Sequence, residues 1–153
     1  MPIKAQDSPV SPRSAFRPIR GIQQSLLAPG RSAIACAEPK GAVFTRRWVV
    51  ELLLDLVGYR PEANLVDAVA IEPAAGDGAF LGPMIDRLME SCHTLGRPVS
   101  ACAGSIAAWE LHEESSERAR ALAIDRLQDH GVGAGIAQHL ASCWVRTGDY
   151  LLE

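Results

Sequence analysis

The chain has 153 residues, nearly half of them apolar, enough for one domain with its own core. No apolar run approaches the roughly 20 residues that a membrane-spanning helix needs, so a soluble protein without a membrane partner is expected. The net charge of −3 is unevenly placed: Lys4, Arg13, Arg17, Arg20, Arg31 and Lys40 face only Asp7 and Glu38 in residues 1–40, which leaves the remainder acidic and without a broad basic surface to grip nucleic acid.

Residues 1–40 hold Pro2, Pro9, Pro12, Pro18, Pro29 and Pro39 among serines and arginines. Prolines at this density block helices and strands, which predicts a disordered leader; an organelle transit peptide and a weak phosphate-binding arm share the composition. Cys36, Cys92, Cys102 and Cys143 form no C-x-x-C pair, and His93, His112, His130 and His139 supply no ligand pattern. Neither a disulfide framework nor a metal site is expected, and reduced cysteines suit a cytoplasmic protein.

The folded part, residues 41–153, begins at Gly41. Thr45 is placed to cap a helix running to about Val57, with Gly58 ending it. Val49, Val50, Leu52, Leu53, Leu54, Leu56 and Val57 cover most of that helix, and only Arg47, Glu51 and Asp55 form a polar stripe. So apolar a helix is expected inside the domain. A first strand follows at about residues 66–71. The next helix sets Leu81, Met84, Ile85, Leu88, Met89 and Cys92 on one face, with Asp86, Arg87 and Glu90 outward, and Gly96-Arg97-Pro98 breaks it.

A second strand ends at Ala108-Trp109-Glu110. The helix after it, about residues 113–129, opens on acids that the helix dipole favours, buries Ala119, Leu122, Ala123 and Leu127, and stops at His130-Gly131. A short helix over 136–142 precedes a third strand over 143–147. The order helix, β, α, β, α, β predicts an α/β fold with a parallel sheet built in crossover steps.

Four segments carry chemistry. Ile71-Glu72-Pro73-Ala74-Ala75-Gly76-Asp77-Gly78-Ala79-Phe80-Leu81 reads as a strand end, a tight loop and a helix start. Pro73 holds Glu72 extended, the alanines are small, and Gly76 and Gly78 reach backbone angles closed to other residues. That is how a doubly wound fold admits a nucleotide-like ligand at the carboxyl end of its first strand. A nicotinamide fingerprint would need a third glycine where Leu81 stands, and a glycine turn without a ligand has the same local sequence. Glu110, at the tip of strand two, is where a ribose diol is held, although acids also gather at helix starts as Glu113 and Glu114 do. Asp149 after strand three can accept from an exocyclic amine with Tyr150 covering a flat ring, or form an ordinary turn. Gly41-Ala42-Val43-Phe44-Thr45-Arg46-Arg47-Trp48 puts a phenylalanine and a hydroxyl at a helix mouth, which alone is a helix cap.

In this order the four segments resemble those of the adenine-N6 DNA methyltransferases of restriction-modification type, over nearly all of residues 41–152. Residues 41–48 look like the family's G-x-x-F-T-P motif, with Arg46 at the proline position, and residues 72–80 like its E-P-x-x-G-x-G-x-F loop. The resemblance implies a class I, Rossmann-like fold that binds S-adenosyl-L-methionine (SAM). It places Phe44, Thr45 and Ala74 at the methionine end, Glu72 at the ammonium, Gly76 and Gly78 in the loop, Glu110 at the ribose, and Asp149 with Tyr150 at the adenine. It also implies a target adenine flipped from duplex DNA. The family's N-P-P-[YF] catalytic segment is not found among these residues, so the resemblance yields no catalytic residue here. The expectation is an amino-terminal, SAM-binding part, cut after strand three, that transfers no methyl group alone and meets DNA in the full-length or completed enzyme. Strand one would be left with an unpaired edge. A SAM-binding subunit completed by a second polypeptide, and a methyltransferase acting on RNA or protein, are the alternatives.

Overall fold

The computed structural model describes residues 45–152, and every element below belongs to the unit Glu38–Glu153. The proline-rich leader and the start of the first motif, Phe44 included, lie outside the described residues. The elements are α1 (Arg47–Leu56), β1 (Ala70–Glu72), α2 (Leu81–Leu95), β2 (Ile106–Glu110), α3 (Glu113–Asp129), α4 (Ala134–Trp144) and β3 (Val145–Thr147), with short 3-10 turns at Leu65–Asp67 and Val99–Gly104. The strands form one parallel sheet in the order β1-β2-β3. Ala70, Ile71 and Glu72 pair with Ile106, Ala107 and Ala108, and Ala108, Trp109 and Glu110 pair with Val145, Arg146 and Thr147.

Consecutive strand residues point to opposite faces. One face carries Ile106, Ala108 and Val145, all buried beneath the helices, and Thr147, whose hydroxyl meets Ser116 of α3. The other carries Ile71, which is 52% exposed, then Ala107, Trp109 and Arg146. Parallel sheets are normally covered on both faces. The parallel α/β sheet is as expected, but the described helices wind only one side of it, not both. No strand pairs with the outer edge of β1 among the described residues.

The amphipathic stripe of α2 is buried as its spacing predicts: Leu81, Met84, Ile85, Leu88, Met89 and Cys92 are all within the core. They meet Ala119, Ala123 and Leu127 of α3, which in turn packs on α4 through Ala137, Leu140 and Ala141. Trp144 is fully buried, and its indole N–H donates to the Cys102 carbonyl at 2.8 Å, so the polar atom is satisfied along with the ring. Cys92 and Cys102 are free thiols with sulfurs 3.3 Å apart, and burial pushes the Cys102 thiol up to about 12. α3 has the expected bounds, though Leu122 is only partly buried.

Five expectations need correction. The N-cap of α1 is Arg46 with no side-chain cap, so Thr45 does not cap it. α1 is not interior: only Val50 and Leu54 are buried, while Trp48, Leu52, Leu53, Leu56 and Val57 are exposed. Its polar stripe faces α2 instead, because Arg87 binds Glu51 at 2.6 Å and Asp55 at 2.7 Å. Arg87 was expected outward, yet its side chain is only 13% exposed. The apolar run before the glycine loop divides in two. Ser91 Oγ accepts from the Leu65 N–H and Ser105 Oγ donates to the Val66 carbonyl, which captures that backbone as a 3-10 turn and leaves only Ala70–Glu72 as strand. Finally, the last helix runs from Ala134 to Trp144, so β3 begins at Val145, not at Cys143.

Candidate functional site

The carboxyl ends of the three strands lie side by side and carry Glu72, Glu110 and, past Thr147, Asp149. The sheet register therefore converts three acids far apart in sequence into one rim. That rim is where a parallel α/β sheet opens a crevice.

Glu110 is the centre of the arrangement. It is only 8% exposed, and both carboxylate oxygens accept main-chain hydrogen bonds: Oε2 from Gly76 N–H at 2.8 Å and Oε1 from His112 N–H at 2.9 Å. The second of these lies at the N-terminus of α3, where the helix dipole favours an anion. Each oxygen keeps a further lone pair. The Ala75 N–H donates to the Trp109 carbonyl at 2.7 Å, and the Gly148 N–H to the Glu110 carbonyl at 3.0 Å. The glycine loop, the tip of β2 and the start of the Asp149 loop are thus one hydrogen-bonded unit.

The two loop glycines share a left-handed backbone but differ in their surroundings. Gly76 has φ +51° and open space where a Cβ would stand, so the main chain is approachable there. Gly78 has φ +86°, and a Cβ would collide with Cδ2 of Leu122 on α3. Both angles lie in the left-handed region that favours glycine, and only at Gly78 would a Cβ also press on a side chain of α3. Between them Asp77 is tied to α3 by Arg118, whose Nε donates to Oδ1 at 2.9 Å. Glu72 turns its Oε1 back to accept from the Ala74 N–H at 3.1 Å. Burial holds its carboxyl above the usual range, partly offset by that N–H.

Asp149 is exposed, and its Oδ1 accepts from the Leu151 N–H at 3.0 Å in an Asx turn. Tyr150 sits edge-on to Trp109, with ring centroids 4.9 Å apart and planes at 64°. The Arg146 guanidinium lies over the same Trp109 ring at 4.9 Å. The structure thus links Ala74 to Glu72, and Gly76 to Glu110, and sets Tyr150 on the ring beside Glu110. Thr45 lies just before α1 and makes no hydrogen bond into this unit among the described residues, while Phe44 lies outside them. Sequence reasoning named Ala75, Trp109 and Leu122 without their contacts here, and missed Arg118. Trp109 carried a signal, since strand alternation sets it opposite Glu110. The contacts of Ala75, Arg118 and Leu122 left no signal, because their partners come from distant elements.

Among the described residues no helix is long and apolar enough to cross a membrane, and no cluster of three His, Cys, Asp or Glu side chains is placed to hold a metal ion.

Comparison with known proteins finds similar chains. The chain is 39% identical over 119 residues to the type II methyltransferase M.XhoI of Xanthomonas vasicola. It is 36% identical over 118 residues to M.PaeR7I of Pseudomonas aeruginosa, and 33% over 116 residues to M.BstVI of Geobacillus stearothermophilus, both also type II methyltransferases. The alignments take in 73–75% of this chain and 21–22% of each relative, so the chain spans about a fifth of the length of the curated relatives it matches. No family model and no solved structure matches.

Proposed function

We propose that the chain forms the SAM-binding part of an adenine-N6 DNA methyltransferase of restriction-modification type, with a class I, Rossmann-like fold, acting on DNA in the cytoplasm. The observation that carries this reading is the Glu110 carboxylate, buried at the tip of β2, bonded to the glycine loop and still able to accept. The similarity to type II methyltransferases supports it.

The residues present fit SAM. The open space at Gly76 lets a ligand approach the main chain. Glu110 has acceptor capacity for two ribose hydroxyls. Glu72 supplies a carboxylate for the ammonium, with Phe44, Thr45 and Ala74 at the methionine end, and Asp149 accepts from the adenine amine with Tyr150 beside the ring. SAM itself supplies a methyl group on sulfur whose leaving thioether is neutral. The chain's contribution is to bind and orient, since alignment more than proton transfer governs such a displacement.

Calorimetry on the full chain tests this reading. Glu110→Ala is expected to weaken SAM binding by more than about tenfold, because the ribose hydroxyls lose a charged acceptor, a loss of roughly 1.5–3 kcal/mol. Unchanged affinity would remove Glu110 from the site, and no SAM binding by the unaltered chain would overturn the reading.

A further inference from the structure

The root of the Asp149 loop is held by a polar cluster that the cofactor reading does not use. Ser116 of α3 is fully buried, and its Oγ lies 2.7 Å from Oγ1 of Thr147, the last residue of β3. Ser116 has one hydroxyl proton, and it donates to the Glu113 carbonyl at 2.9 Å. Thr147 is therefore the donor between the two hydroxyls, and Ser116 the acceptor.

Arg120, one turn further along α3, closes the cluster with three different nitrogens. Nη2 donates to Thr147 Oγ1 at 2.9 Å, Nη1 to Ser116 Oγ at 3.3 Å, and Nε to the Val145 carbonyl at 3.3 Å. The carboxylate of Glu113 stays 3.8 Å away and is exposed, so the guanidinium serves the strand more than an ion pair. Only a planar fork of donors can span the first and last residues of β3 together with a helix hydroxyl.

The placement matters because β3 is three residues long and is, among the described residues, at the edge of the sheet. Short edge elements open at low cost. The loop it carries is fixed at Gly148 by the Glu110 carbonyl and at Tyr150 by Trp109. Thr147 leads into the Asp149 loop, and Arg120 holds its hydroxyl together with Ser116 while Glu110 pairs with its backbone.

We infer that Arg120 is a positioning residue for the adenine side of the proposed cofactor site, acting through Thr147 on the loop at 148–150; this rests on the cofactor reading above. Arg120 touches no part of the cofactor. It sets the direction of the Asp149 carboxylate, and so the preference for a base that bears an exocyclic amine.

The experiment compares two ligands by calorimetry on the full chain: S-adenosylhomocysteine, and its analogue with purine in place of adenine. The ratio of their affinities reads the contact to the amine and is expected to be about tenfold in the unaltered chain. Arg120→Met should bring that ratio to within about twofold of unity while the purine analogue still binds as before. Arg120→Lys, which keeps the charge but not the fork, should also lose the ratio. Thr147→Ser should retain it and Thr147→Val should lose it, and this pair decides the matter if Arg120 variants do not fold. A fall in both affinities by the same factor, with the ratio kept, would mean a structural role only and would overturn the inference while leaving the cofactor reading intact. Binding of neither ligand by the unaltered chain would overturn both.

Discussion

Helices α1 and α2 lie against each other and are both rich in large apolar residues, yet water meets them differently. α2 hides Leu81, Met84, Ile85, Leu88, Met89 and Cys92, whereas α1 hides Val50 and Leu54 and leaves Leu56 and Val57 73% and 76% exposed. α2 packs mainly on α3 and a 3-10 turn, whereas among the described residues the main neighbour of α1 is α2. Their shared boundary is largely ionic, with Arg87 bridging Glu51 and Asp55, and with Arg47 reaching Asp86 at 3.5 Å. Apolar composition sets how much a helix can bury. The neighbours within reach set how much it does bury, and an outer face as apolar as that of α1 is unusual on a surface.

The sharpest way to break this comparison is in the core of α2. Leu88→Ala should cost about 2–5 kcal/mol in chemical denaturation, because the fully buried side chain leaves a cavity that its neighbours cannot close. A cost no greater than that of a surface leucine would mean that the two helices are not different in kind.

The ionic boundary is next. Arg87→Met removes the cation between two carboxylates and is expected to cost about 1–3 kcal/mol at neutral pH. Its acid dependence gives a second reading. The Arg87 hydrogen bond holds the Glu51 carboxyl below its usual range, against the opposing effect of burial and with help from Arg47. A depressed folded-state pKa stabilises the fold above the unfolded value and ceases to do so as pH falls through the folded value. The unaltered chain should therefore lose stability on that acid limb, and Arg87→Met should lose less of it. Denaturation midpoints measured from neutral pH downward would show it; parallel curves would assign the boundary to packing alone.

The smallest effect belongs to the outer face of α1. Leu56→Ala should change stability by less than about 0.5 kcal/mol, since little of the side chain is withdrawn from water. A loss comparable to that of Leu88→Ala would show that this face is covered in solution.

Much of the fold was legible from residues alone. The spacing of Leu81, Met84, Ile85, Leu88, Met89 and Cys92 determined a one-faced helix, and the acids at Glu113 and Glu114 with the His130-Gly131 stop determined α3, because periodicity and end signals are local. Two acids at the strand tips could be named for the same reason, since Glu72 and Glu110 each close an apolar run, while Asp149 follows the short third strand. Tertiary structure alone decided three things. Serines at 91 and 105 drew Leu65 and Val66 out of the first strand by hydrogen bonds from distant elements. Arg87 chose the inner side of α1, which no pattern within α1 records. The parallel register, finally, brought the Gly76 N–H to the Glu110 carboxylate and placed Arg120 beneath the Asp149 loop. Side chains reaching between elements leave no period in the sequence, so contacts of this kind emerge only when the chain is folded.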